Sequence, residues 1–90
     1  MKTLTLNLKG EYFDQIKSGE KTREYRLITP YWKKRLENRE YGQVVICKGC
    51  PERGDQDRRI VKPWRGCFRK TITHPHFGDK PVRVYAIRVN

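Results

Sequence analysis

Lys21, Glu24 and Arg26 sit within six consecutive residues of the stretch "GEKTREYR", residues 19–26. An amine, a carboxylate and a guanidinium this close can share protons, polarise a carbonyl or clamp a phosphate. They interrupt what otherwise reads as a β-strand, so they form either a solvated ladder of ion pairs or a site that needs charge. Exposed ion pairs contribute only about 0–1 kcal/mol. In an extended strand Tyr25 and Leu27 share one face and Glu24 and Arg26 the other. The apolar pair is expected on the core side. Glu24 and Arg26 then become a fixed polar handle if a helix covers them, and Lys21, just after Gly19, can swing toward the same cleft.

The elements that must position these groups follow from pattern. Thr3 to Leu8 alternate, with Leu4, Leu6 and Leu8 on one face of a half-buried strand. Glu11 to Ser18 predicts a short helix with Tyr12, Phe13 and Ile16 inside, stopped by Gly19. "TREYRL" is strand two. Thr29 and Pro30 provide a cap and a first helical residue, and Trp32 and Leu36 share a face of the helix they start. "QVVICK", between Gly42 and Gly49, reads as a central, fully buried strand. Residues 49–59 form a polar loop. Short strands at Ile60–Lys62 and Cys67–Thr73 flank "PWRG", a Pro- and Gly-rich turn spans 74–81, and Val82–Val89 closes the chain as a strand. Ninety residues in this order predict one small α+β domain, residues 1–90, whose six or so strands curl into a barrel-like sheet flanked by two helices. So thin a core favours a shallow cleft over an enclosed pocket.

Charge narrows the partner. Twenty-one Lys and Arg against ten Asp and Glu give a net charge of +11, and the excess runs through both halves rather than in a tail. That is the electrostatic footprint of a polyanion binder. Without a basic amphipathic helix, a strongly apolar leader or a transmembrane run, RNA, DNA or a nucleotide fits better than a membrane. Three cysteines, an odd number, fit a reducing cytoplasm better than a disulfide framework.

The stretch "GEKTREYR" resembles the G-x-K-x-x-E-x-R signature of the ASCH (activating signal cointegrator homology) domains, in its expected place after a first strand and short helix. The "PYW" helix and the basic, strand-rich second half resemble the family in layout. The resemblance implies a PUA-like small mixed β-barrel of about six strands with two flanking helices, and a cleft beside the motif for RNA or a cytidine-type nucleoside. Family activities include RNA binding, RNA cleavage and hydrolysis of N4-acetylcytidine. In the amidohydrolase branch the motif lysine activates a threonine three positions later, and a downstream glutamate moves protons. Here Lys21 matches the lysine, Glu24 stands in the threonine's place, Thr22 is adjacent, and the nearest downstream carboxylates are Glu52, Asp55 and Asp57 in the polar loop. The implied roles are Lys21 and Glu24 in catalysis, through a water activated by a desolvated lysine beside a carboxylate, with Thr22 as the remaining hydroxyl candidate. Arg26 and Arg23 would contact substrate.

Aromatics interleave with cations at Tyr12, at Tyr31-Trp32-Lys33-Lys34-Arg35 and at Trp64-Arg65, a pattern suited to stacking bases beside phosphates. Trp32 is expected to face the core and Trp64 the rim. Tyr31, Trp64, Lys33, Lys34 and Arg65 are therefore further candidates for binding. Two alternatives remain: a non-catalytic RNA-binding module, and a zinc-stapled adaptor using Cys47, Cys50 and Cys67 with His74 or His76. Against the second, Cys47 ends an apolar strand as a small hydrophobe would, and the two histidines read most simply as exposed turn residues. No nucleotide-cradling glycine loop is present. The expectation is a cytoplasmic, cofactor-free monomer that binds RNA or a nucleoside.

Overall fold

A computed structural model describes residues 2–50 and 54–90. Six strands and two helices follow in the order β1 (Thr3–Leu8), α1 (Gly10–Lys17), β2 (Arg23–Leu27), α2 (Pro30–Leu36), β3 (Gln43–Lys48), β4 (Arg59–Pro63), β5 (Cys67–Ile72) and β6 (Val82–Arg88). Single 3-10 turns cover Gln56–Arg58 and Pro75–Phe77. The mixed α+β class and nearly all boundaries match the sequence pattern. Glu52, one of the loop carboxylates, lies outside the described residues.

The expected barrel does not close. The strands form two separate three-stranded sheets, ordered β1-β3-β4 and β2-β6-β5. β1 runs parallel to β3, because α1, β2 and α2 intervene and form the crossover; the other pairings are antiparallel. Leu4, Leu6 and Leu8 alternate inward from β1 and pack with Phe13 and Ile16 of α1, Leu36 of α2, Val44 and Ile46 of β3, and Tyr85, Ile87 and Val89 at the end of the chain. β1 and β2 are both edge strands, so the two sheets leave a seam between them.

Local chemistry sets the helix ends. Thr29 Oγ1 accepts from Trp32 N at 3.3 Å, with Pro30 in the first helical turn. At the end of α1, Gly19 takes φ 85°, which lets Lys21 N reach Gln15 O at 2.9 Å and turns the chain into β2.

Two expectations about faces are corrected. β3 is central in its sheet, but only Val44, Ile46 and Cys47 are buried. Val45 is only half-buried and pairs with Val61, which is exposed. In β2 the polar residues point inward. Glu24 is only 6% exposed, whereas Leu27 is 38% exposed. Burial of the carboxylate is tolerated because cations and a backbone N–H surround it. Among the described residues, no helix is long and apolar enough to cross a membrane.

Candidate functional site

The seam between β1 and β2 opens into a cleft of about 420 Å³, within the range of small-molecule sites. Its walls come from four places: Asn7, Leu8, Lys9 and Tyr12 around the β1–α1 junction; Lys21 and Glu24–Leu27; Thr29, Tyr31 and Trp32 at the start of α2; and His74, His76 and Phe77 in the last turn. Among the described residues three Lys and Arg cations, Lys9, Lys21 and Arg26, and one carboxylate, Glu24, line the cleft.

That carboxylate organises the floor. Lys21 Nζ lies 3.6 Å from Glu24 Oε1, which also accepts from Tyr25 N at 3.2 Å. Arg26 Nη2 donates to Glu24 Oε2 at 3.3 Å and to Asn7 O at 3.0 Å, tying edge strand β2 to edge strand β1. The Arg26 guanidinium lies 5.0 Å from the Trp32 ring centre, and its Nε is the one buried side-chain nitrogen or oxygen without a hydrogen-bond partner among the described residues. The helix α2 thus covers the Glu24–Arg26 face, and the pair is the desolvated handle anticipated. Lys21 Nζ sits between two aromatic faces, 5.1 Å from the ring centre of Tyr12 and 5.0 Å from that of Tyr25. A Lys–carboxylate–Arg cluster sheltered by rings keeps fixed donors in a partly dry site, where they bind a polar ligand more strongly than in water.

The opposite wall was missed in the sequence. His76 is exposed in the turn as expected and His74 half-buried, yet both line the cleft: each ring stands 5.9 Å from that of Tyr12, and Phe77 packs edge-on to His76 at 5.0 Å. His74 Nδ1 accepts from His76 N at 3.1 Å, which leaves Nε2 as the proton-bearing nitrogen of the neutral ring. Burial, and then the charges of Glu11 and Glu24, raise the Tyr12 phenol above its ordinary value, so it remains a neutral hydroxyl at neutral pH.

Of the residues singled out earlier, Lys21, Glu24, Arg26 and Tyr31 meet in the cleft. Thr22 does not; with Glu20 and Arg23 it lines a neighbouring groove, which meets the cleft at Lys21 and Tyr25. Arg23 points to the other face of β2 and lies over Phe68 at 5.0 Å. Trp32 packs against the core as expected and also lines the cleft, whereas Trp64, expected at the rim, packs edge-on to Tyr41 at 5.1 Å and likewise against the core. Arg65 is exposed away from the cleft, where its carbonyl accepts from Arg88 Nη1 at 3.4 Å. Lys33 and Lys34 are exposed on α2.

The zinc-stapled alternative finds no support in the geometry. Cys47 is buried, Cys50 exposed and Cys67 half-buried, and no three His, Cys, Asp or Glu side chains converge among the described residues. Burial also pushes the Cys67 thiol up, away from the thiolate that zinc requires. The chain matches no protein-family model, no curated protein and no solved structure.

Proposed function

We propose that the cleft between β1 and β2 holds a cytidine-type base, in a free nucleoside or in RNA, as in the ASCH domains whose signature "GEKTREYR" resembles. On this reading the fold is a PUA-like one whose barrel stays open at the β1–β2 seam. The observation that carries the reading is the Lys21–Glu24–Arg26 cluster on the floor of an aromatic-walled cleft. A cytosine ring offers a donor amine beside acceptor nitrogen and oxygen atoms. Lys21 keeps N–H donors beyond the one directed at Glu24, and the carboxylate retains lone-pair capacity for the amine. Trp32, Tyr12 and Tyr25 supply flat surfaces for the ring. Calorimetric titration with cytidine tests this: the wild type binds, and Lys21→Ala binds at least tenfold more weakly. Equal heats for both proteins would remove the reading.

A second reading, hydrolysis of an N4-acylated cytidine, is favoured by the 3.6 Å contact between the Lys21 amine and the Glu24 carboxylate. Water attacks the acyl carbonyl carbon while Glu24 takes its proton. Lys21 donates a proton to N4 as the C–N bond breaks, giving the carboxylic acid and cytidine, and the proton on Glu24 then returns to Lys21. Thr22 has no part in this, since it lies outside the cleft. Chromatography of N4-acetylcytidine after incubation decides between the readings: cytidine formed by the wild type and not by Lys21→Ala supports hydrolysis, and intact substrate leaves a binding module.

A further inference from the structure

A second groove lies beyond the cleft, along the outside of α2. Lys2, Thr3, Lys34, Arg35, Arg39 and Tyr41 line it, in a space of about 420 Å³. Four of these six residues are cations, contributed by three separate segments of chain: the residues before β1, the last turn of α2 and the loop that follows. None of the four is ion-paired with a carboxylate among the described residues. Bringing four like charges together costs energy, unless an anion is there to offset it.

Part of the arrangement serves the helix. Arg39 Nε donates to Lys34 O at 3.3 Å, Arg35 Nη1 to Tyr31 O at 3.1 Å, and the Tyr41 hydroxyl to Arg35 O at 2.5 Å. The Lys34 and Arg35 carbonyls belong to the last turn of the helix, where cations are favoured, and the Tyr31 carbonyl to its first. These bonds leave the amines of Lys2 and Lys34 and most N–H groups of both arginines unused. Lys2 lies outside the helix altogether, so helix capping does not account for its place in the groove.

The groove also continues from the cleft. Tyr31 is exposed and lines the cleft, while Arg35 lines the groove and lies over the Tyr31 ring at 3.5 Å. Four residues of helix separate them, about 6 Å along the axis, which is close to one step of an extended nucleotide strand. A stacked Tyr–Arg pair is a surface on which a base can lie while its phosphate meets the guanidinium.

We propose that the cleft's ligand is part of a single-stranded nucleic acid, whose flanking nucleotides cross Tyr31 and Arg35 and place their phosphates in the groove of Lys2, Lys34 and Arg39. This rests on the reading of the cleft as a base-binding site, and it makes a strand, rather than a free nucleoside, the ligand of the whole surface. Phosphodiester contacts do not separate RNA from DNA, so the groove should serve both.

The test uses fluorescence anisotropy with a labelled eight-nucleotide RNA and the DNA of the same sequence. The variant Lys2→Gln/Lys34→Gln/Arg39→Gln is compared with a control of equal charge change elsewhere, Lys70→Gln/Lys80→Gln/Arg83→Gln. All six positions carry surface side chains, and circular dichroism checks that both variants fold. The groove variant should lose at least tenfold in affinity for both strands. Its plot of log affinity against log salt should be shallower by about 2, the value for three lost phosphate contacts. Its calorimetric titration with free cytidine should match the wild type. The control should lose less than threefold. Equal losses in the two variants, or a groove variant that binds the strand like the wild type, would overturn the proposal. If the wild type ignores cytidine while the groove variant alone loses the strand, the groove stands and the cleft reading fails.

Discussion

Replacing Glu24 with alanine removes the only carboxylate that lines the cleft among the described residues and leaves Lys21 and Arg26 without it. The Glu24 side chain is 8% exposed, Lys21 14% and Arg26 22%. Removing one partner of a buried pair costs about 3–5 kcal/mol, because the remaining charge stays desolvated and unpaired. Both cations here keep some access to water, so the lower end, about 3 kcal/mol, is expected. For a domain of this size each kcal/mol moves the melting temperature by about 4–8 °C, which gives a fall of about 12–24 °C. Thermal unfolding followed by circular dichroism measures it. The reference is Asp55→Ala: the Asp55–Arg58 pair has side chains 37% and 58% exposed and should contribute under about 1 kcal/mol. Adding Arg26→Leu to Glu24→Ala should recover part of the loss, since it removes one orphaned charge. If Glu24→Ala melts no lower than Asp55→Ala, the cluster is a solvated ion-pair ladder and the account of the floor is wrong.

Further outcomes follow from other parts of the molecule. Glu37, at the end of α2, accepts from the Tyr85 hydroxyl at 2.6 Å and pairs with Arg69; the tyrosine bond first, then the arginine, holds its carboxyl below the usual range. Its contribution to stability is present above the unfolded value of about 4.3 and is lost as the pH falls through the lower folded value. Urea midpoints should therefore drop in acid, and Tyr85→Phe, which removes that bond, should make the acid slope shallower. Trp32→Ala should weaken cytidine binding by about 1–3 kcal/mol, as loss of a stacking surface does, in a calorimetric titration. Trp64→Leu should lower the melting temperature without moving that titration, because Trp64 packs on Tyr41 and the core. Thr22→Ala should leave any hydrolysis of N4-acetylcytidine unchanged, measured by product chromatography.

The elements were readable because each carries its own local signal. Leu4, Leu6 and Leu8 alternate, Thr29-Pro30 starts α2, and Gly19 takes the positive φ that ends α1 and aims the chain into β2. The inward face of β2 was not readable, because it depends on what surrounds Glu24. Hydrophobicity alone turns Leu27 to the core, and only Lys21, the Tyr25 N–H and Arg26 together make the opposite choice stable. The wall of His74, His76 and Phe77 needs the last turn to fold back onto Tyr12, a contact between distant parts of the chain that no local pattern announces. Trp64 left its expected place at the rim for a similar reason: it stands among cations in the sequence, and its burial is decided by Tyr41 and the core. The barrel was over-read. Six strands permit closure, but β1 and β2 do not pair, and the cleft occupies the seam between them.

The most direct test of the central claim is a titration of the isotope-labelled protein with cytidine, followed residue by residue through the backbone amide resonances. Shifts should concentrate at Tyr12, Lys21–Leu27, Trp32 and His74–Phe77, and should vanish in Lys21→Ala. Resonances that stay still, or that move only around Trp64 and Tyr41, would contradict the assignment of the β1–β2 cleft as the base-binding site.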